Sequence, residues 1–218
     1  MGKNGFKKFQ AMMVEFSAGY LDPIVKAKQV GEKLERSTDK AFREIFSGYT
    51  EITATIDALD LIATLVSVSP PRSKKIGRDD YIKFLVGSHL QEIYMLEQRM
   101  TAYAARISRL YKISDLPAKV RTIVYEPLEA IIRTRGSHVH TRRYSDEDLD
   151  GVAAMALFRR VGHQLGDDLE FEYKRAQLKW TTQIKKNNSD MHTIIERYFD
   201  LVSAGISVNS RIFFPKRL

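Results

Sequence analysis

The residues best suited to chemistry lie at positions 131–144, where arginines and histidines recur without an acidic residue. The segment reads IIRTRGSHVHTRRY and is followed at once by the acidic sequence SDED. Arginine offers planar, permanently charged donors for phosphate oxygens, and histidine exchanges protons near neutral pH. The composition therefore suggests a phosphodiester as the substrate to test, although a solvated basic turn has the same composition.

Two arginine–histidine pairs share one spacing within this segment: Arg133 precedes His138, and Arg135 precedes His140. If the helix that carries them ends near Gly136, all four groups lie at its C-terminal end, where the macrodipole favours positive charge. There a neutral histidine can take the proton of a ribose 2′-hydroxyl, a protonated histidine can donate to the leaving oxygen, and arginine can hold the phosphate. A metal-independent ribonuclease needs these groups.

Four further residues are weaker candidates. Arg142 and Arg143 are predicted either to position phosphate or to be ordinary surface charge. His89 interrupts the apolar stripe of a long helix, so it is either a satisfied core histidine or part of a site. Glu92, one turn further on, could orient its imidazole as an acid orients a catalytic histidine.

The elements that must position these residues are predicted to be helices. The strongest pattern runs from Tyr81 to Tyr111, where apolar residues recur at three- and four-residue spacing. Upstream, we predict one helix that stops at Asp22-Pro23 and a longer one over 42–66 that ends before Pro70-Pro71. The apolar positions of the long pattern are Phe84, Leu85, Ile93, Leu96, Met100, Tyr103, Ile107 and Leu110.

The second half of the chain continues the helical pattern. A helix from Pro117 through Ile132 should be kinked by Pro127, and Ser145 with Asp148 resembles a capping box for the next helix. The last third is predicted to form two helices around the sequence KKNNS, residues 185–189, followed by a tail from Ile206 that covers the core or serves a partner chain. An all-α bundle of about six or seven helices is the predicted architecture.

An arginine followed after four to six residues by a histidine, at the end of a helix in a small all-α bundle, resembles the HEPN superfamily. The resemblance rests on Arg133 and His138 and covers roughly Tyr81 to Trp180. It implies a homodimer in which two motifs face one cleft and RNA is cut without a metal. Thr134 stands where catalytic members usually carry Asn, Asp or His, which leaves cleavage and simple binding as alternatives.

Composition narrows the remaining function classes. The 218 residues include 35 Lys and Arg against 27 Asp and Glu, a net charge of +8 that favours polyanionic partners such as nucleic acid. The absence of cysteine excludes disulfides, thiolate catalysis and cysteine-based metal sites. Zinc held by His138 and His140 lacks an evident third ligand, so we predict no metal and no cofactor. No apolar run reaches membrane-spanning length, which predicts a cytoplasmic protein without a membrane partner.

These observations predict one HEPN-like domain over 1–218, with N-terminal helices in 1–69, the core in 80–180, and a C-terminal helix and tail in 190–218. The predicted activity is endoribonucleolytic cleavage through Arg133 and His138. The alternative is a non-catalytic helical module that binds nucleic acid, a nucleotide or an acidic protein.

Overall fold

The computed structural model describes residues 4–32, 40–73, 75–140 and 146–215, and all of their side chains except those of 134–140. Nearly all of the described chain is helical, which confirms the predicted all-α class. The α-helices are α1 (Gly5–Gln29), α2 (Lys40–Ser67), α3 (Arg78–Tyr111), α4 (Leu116–Val120), α5 (Glu126–His140), α6 (Glu147–Arg160) and α7 (Leu169–Ile206).

A π-helical turn, Arg121–Tyr125, joins α4 to α5 immediately before Pro127. Proline has no backbone N–H, and its ring clashes with the carbonyl of the residue four positions earlier. Widening the preceding turn accommodates that ring without ending the helix. At Pro127, where a kink was predicted, the described chain contains a π-helical turn directly before the proline.

Two predicted helix boundaries were wrong. α1 continues through Pro23 to Gln29, because Gly19, whose carbonyl loses its hydrogen bond, is exposed and open to water. α7 runs unbroken through residues 185–189, where two helices were predicted. Asn187 and Asn188 are buried and bond other helices, so their amides do not compete for the backbone of α7.

The tail forms a small antiparallel hairpin of β1 (Ser207–Val208) and β2 (Arg211–Ile212). Asn209 and Ser210 between them have φ values of 50° and 61°, as a two-residue turn of type I′ requires. The sequence pattern contains no sign of so short a pair of strands.

The chain divides into two compact units, each made of separated segments. Unit 1 comprises Met1–Thr53, Glu97–Pro127 and His192–Leu218, and unit 2 comprises Ala54–Leu96 and Leu128–Met191. The core predicted over 80–180 thus contributes its residues 97–127 to unit 1.

Unit 1 is built around aromatic rings. Phe199 lies 4.8 Å from Phe9 and 5.1 Å from Tyr198 between ring centroids. The ring of Tyr103 packs against Gly48. A Cβ atom at position 48 would collide with this ring, so only glycine leaves room for it. The close approach of α2 to α3 in this unit therefore depends on a glycine.

Unit 2 has an aliphatic core to which α2, α3, α5, α6 and α7 contribute. Within the helix predicted from the longest apolar pattern, Leu85 and Ile93 are buried as expected. The core cluster consists of Ile62, Val66, Ile82, Leu85, Val86, Leu90, Leu149, Val152, Ala156, Leu169, Tyr173, Ala176, Trp180 and Ile184.

No helix within the described residues combines the length and the apolar character needed to cross a membrane.

Candidate functional site

The second half of α5 carries the predicted ribonuclease motif, and its apolar face fixes it to unit 2. Leu128 is fully buried, and Ile131 packs against the aliphatic core of that unit. Arg133 follows two positions later, with 76% of its side chain exposed. The predicted arginine therefore stands on the outer face of a helix whose inner face is packed.

Arg133 has one ionic partner on the same helix. Its Nη2 lies 2.8 Å from Oε1 of Glu129, one turn earlier, and the pair is open to solvent, with Arg133 exposed and Glu129 half-buried. Exposed pairs at this spacing contribute only about 0.3–0.5 kcal/mol. A phosphate can thus replace Glu129 as the partner of Arg133 at little cost.

The condition that the helix ends near Gly136 is not met, because α5 continues to His140. Helix positions 133 and 138 are separated by about 140° around the axis, at 3.6 residues per turn. Positions 133 and 140 differ by only about 20°, and they are about 10.5 Å apart along the axis. The continuous backbone thus brings position 140, rather than 138, onto the helix face of Arg133.

The remaining residues of the motif lie beyond what the structure describes in full. Arg135, His138 and His140 belong to α5, but their side chains are outside the described set. Arg142 and Arg143 lie outside the described residues altogether.

The chain re-enters the described part at Asp146, which is held by α7. Asp146 is the N-cap of α6 and accepts a hydrogen bond from the backbone N–H of Asp148 at 3.2 Å. Asp146 thus provides the N-cap side-chain bond that was predicted for Ser145, which itself is outside the described residues. Lys179 donates to the carboxylates of both Asp146 and Asp148, and Arg175 donates to Asp148 at 3.1 Å.

These contacts also shift the pKa values of the groups involved. The hydrogen bond from Lys179 is the main cause that lowers the pKa of Asp148, and the same bond raises the pKa of Lys179. Both groups are therefore charged at neutral pH. The ionic contacts fix the N-cap of α6, six residues after His140, the last residue of the basic segment whose backbone is described.

His89 is fully buried in unit 2. Its Nε2 lies 3.4 Å from the amide nitrogen of Asn187, whose oxygen accepts from Gln183 at 2.8 Å. With Asn187 donating to Nε2, the imidazole proton is assigned to Nδ1, which has no hydrogen-bond partner among the described residues. Burial lowers the pKa of His89 to about 4, so the ring is neutral at physiological pH.

The predicted pairing of His89 with Glu92 was wrong, because the ring bonds Asn187 and its other nitrogen is unpartnered. His89 forms its hydrogen bond with Asn187 of α7, whereas Arg133 forms its bond with Glu129 of α5. The described hydrogen bonds of His89 and Arg133 therefore do not connect the two residues.

Sequence reasoning missed Asn187 and Lys179, which bond across helices. The available signal was the pair of consecutive asparagines in an otherwise amphipathic pattern, since helix interiors disfavour asparagine unless its amide finds a partner. No comparable signal marks Lys179 among the mixed charges of 170–179.

Within the described residues, no cluster of three or more His, Asp or Glu side chains is arranged to hold a metal ion.

No family model, curated protein or solved structure matches this chain.

Proposed function

We propose that the protein is a metal-independent endoribonuclease of HEPN type that acts at the C-terminal half of α5. The observation that carries the proposal is the position of Arg133, which is exposed and weakly paired on a helix anchored by Leu128 and Ile131. A rigid helix that presents an arginine to solvent suits the binding of a phosphate in fixed orientation.

In the proposed reaction, His138 takes the proton of a ribose 2′-hydroxyl, and the 2′-oxygen attacks the adjacent phosphorus. The bond from phosphorus to the 5′-oxygen breaks, and that oxygen receives a proton. The products are a 2′,3′-cyclic phosphate and a free 5′-hydroxyl. Arg133 stabilises the charge that develops on the phosphoryl oxygens, with Arg135, His140, Arg142 and Arg143 as further contacts to RNA.

The proposed active form is a homodimer. Positions 133 and 138 lie about 140° apart on one continuous helix, so one copy of α5 does not present both on one face. Two copies that face each other supply an arginine from one helix and a histidine from the other. The arrangement is the one that the resemblance to HEPN proteins implies.

The direct test is cleavage of end-labelled single-stranded and structured RNA in excess EDTA. We expect wild-type protein to cut, and His138→Ala to lose about 10²-fold or more in rate, the usual contribution of a general acid or base. His140→Ala on the same helix removes a proposed RNA contact rather than the proposed base, so it should lose much less activity than His138→Ala. Far-ultraviolet circular dichroism checks that both variants keep the helical fold.

Two outcomes would overturn this assignment. Cleavage by His138→Ala at the wild-type rate excludes His138 as the catalytic base. Loss of activity in His140→Ala, with His138→Ala still active, transfers the role to position 140, which shares a helix face with Arg133.

The second candidate function is a non-catalytic module that binds nucleic acid. Two observations favour it: Arg133 is paired with Glu129, and position 133 is separated from position 138 by about 140° around the axis of α5. In this case RNA binding survives His138→Ala, weakens in Arg133→Ala, and falls steeply with salt. Binding by fluorescence anisotropy, with no product on sequencing gels, would support this candidate over the enzyme.

A further inference from the structure

A second basic feature of unit 2 is a pocket beside the connection from α2 to α3. Its volume is about 440 Å³, and its walls are the coil 69–73, Ile76, the first residue of α3 and the first turns of α7. Small-molecule sites in proteins usually span roughly 300–1,000 Å³. The cavity is therefore large enough for a small ligand.

The lining of the pocket is predominantly cationic. Arg72, Arg78 and Lys174 are opposed by one carboxylate, that of Glu170. Glu170 is ion-paired with Arg78 and lies 3.7 Å from Lys174, so it holds two cations at the pocket without neutralising all three. The remaining positive charge favours an anionic ligand.

Two further acidic side chains, in the first turns of α3 and α7, have partners away from this lining. Asp79 accepts from Arg160 at 2.8 Å, and Glu172 pairs with Arg175 at 2.9 Å. These contacts divert two nearby carboxylates from the cations of the pocket.

The aromatic wall of the pocket orients one of the cations. The guanidinium of Arg78 lies 5.3 Å from the ring centroid of Tyr173, a cation–π contact, and Glu170 fixes it from another side. Because this guanidinium is held before a ligand arrives, less side-chain entropy is lost on binding.

The chain that leads into the coil 69–73 is held by side chains of α3 and α7. Gln177 donates to the carbonyls of Val66 and Val68 at 3.0 and 2.9 Å, and Tyr81 donates to the carbonyl of Leu65 at 3.1 Å. These bonds satisfy carbonyls that the end of α2 leaves free. Consecutive prolines follow at 70 and 71 and restrict the backbone of the wall.

We infer that this pocket binds the dianionic phosphate of a small phosphomonoester, held by Arg72, Arg78 and Lys174. Arginine and lysine together match the three terminal oxygens of a phosphomonoester, and Pro70, Pro71 and Ile76 supply apolar surface for the rest of the ligand. The inference does not depend on the activity proposed for α5. The same phosphate chemistry is available from a free small molecule or from the 5′ end of an RNA strand.

The test is isothermal titration of the full-length protein with uridine 5′-monophosphate, uridine and inorganic phosphate. We expect the monophosphate to bind, phosphate to compete with it, and uridine to bind at least about tenfold more weakly. Since the second pKa of a phosphomonoester is about 6, affinity for the monophosphate should fall as pH drops from 7 to 5. Absence of binding by the monophosphate at millimolar concentration, or equal binding of uridine, would overturn the inference.

A charge-matched pair of variants separates the pocket from general electrostatic attraction. The double substitution Arg72→Gln with Lys174→Gln should weaken binding of the monophosphate by about tenfold or more. The control, Lys185→Gln with Lys186→Gln, removes the same charge from exposed positions of α7 and should change affinity less than about twofold. Equal losses in both doubles, each with wild-type circular dichroism, would rule out a specific site.

Competition with short RNAs distinguishes the two sources of phosphate. Displacement of the monophosphate only by a 5′-phosphorylated strand supports the pocket and shows that it accepts RNA ends. A lack of displacement by either strand supports the pocket with a free small molecule as its ligand. Equal displacement by a 5′-hydroxyl strand would show that the pocket binds phosphodiesters and would refute the inference.

Discussion

The two units differ in how many aromatic rings their cores contain. Unit 1 encloses Phe9, Tyr49, Tyr198 and Phe199, and its buried tyrosine Tyr198 donates to the carbonyl of Met100 at 2.8 Å. Unit 2 encloses mainly aliphatic residues, with only Tyr173 and Trp180 as aromatic members of its described core cluster. It also buries an imidazole and two amides, those of His89, Asn187 and Asn188.

Both cores hold a buried polar atom without a hydrogen-bond partner among the described residues, the hydroxyl of Tyr103 in unit 1 and Nδ1 of His89 in unit 2. Aromatic rings remove large apolar areas from water and gain from their mutual geometry, so unit 1 is rich in stabilising contacts. A buried imidazole with an unpartnered nitrogen costs stability, yet His89 fixes α3 against α7 through Asn187. The exposed Arg133 and the cationic pocket both lie in unit 2, so both candidate sites belong to the unit whose core holds the buried imidazole.

The largest expected effect on stability comes from the aromatic core. Phe199→Ala should lower the free energy of unfolding by about 3–5 kcal/mol, because Phe199 is fully buried against four other rings. Phe199→Leu, the control, keeps most of the apolar volume and should cost less. Urea denaturation followed by circular dichroism measures both, and a loss below about 1 kcal/mol for the alanine variant would contradict the stabilising role of this core.

The next effect concerns pH and belongs to unit 2. His89 has a pKa of about 4 when folded and about 6.5 when unfolded, so the unfolded chain binds more protons between these values. Protonation of the unfolded chain at this position therefore lowers the free energy of unfolding as pH falls from 6.5 toward 4. The total loss is about 3 kcal/mol, and above pH 6.5 there is none. The pH dependence should be steeper in wild type than in His89→Gln.

Urea unfolding of both proteins between pH 7 and 4 checks this expectation. Carboxylates also titrate in this pH range, but they do so in both proteins, so their effect on the free energy of unfolding cancels when the two curves are subtracted. Parallel curves would mean that His89 is protonated inside the folded protein, and the contrast between the two cores would then lose its electrostatic basis.

Periodicity alone predicted the helices that matter most for packing. The spacing from Tyr81 to Tyr111 fixed the course of α3 and placed His89 on its buried face, because one helix repeat determines which side faces the core. Local breaker signals were less informative, since Pro23 and the residues 185–189 lie inside continuous helices. Such residues end a helix only if their unpaired backbone or side-chain polar groups find neither water nor a partner on another helix. The spacing of residues along the sequence does not show whether such a partner exists.

The same limit applies to the candidate site. The segment around Arg133 was identifiable because arginine and histidine concentrate there. The sequence did not show that the helix continues past Gly136 to His140, which places position 140 rather than 138 on the helix face of Arg133. The cationic pocket was not predictable, because Arg78 and Glu170 meet only through the packing of α3 on α7. A basic connection after two prolines was visible in the sequence, whereas the aromatic wall opposite it was not.

The smallest effect on stability gives the sharpest test of Arg133. Glu129→Gln removes an exposed ion pair and should change the free energy of unfolding by less than about 0.5 kcal/mol. If RNA competes with Glu129 for Arg133, the same substitution should strengthen RNA binding by about twofold, the equivalent of the lost pair. Fluorescence anisotropy at low salt detects this difference.

Glu126→Gln is the matched control, since it removes the same charge from an exposed position of the same helix, where Glu126 accepts from Thr122 at 3.3 Å rather than from an arginine. A gain confined to Glu129→Gln places RNA at Arg133, because a general change in net charge would act equally in both variants. Equal gains would mean that the positive charge of unit 2 attracts RNA without using Arg133, and the exposed arginine would then be an ordinary surface residue.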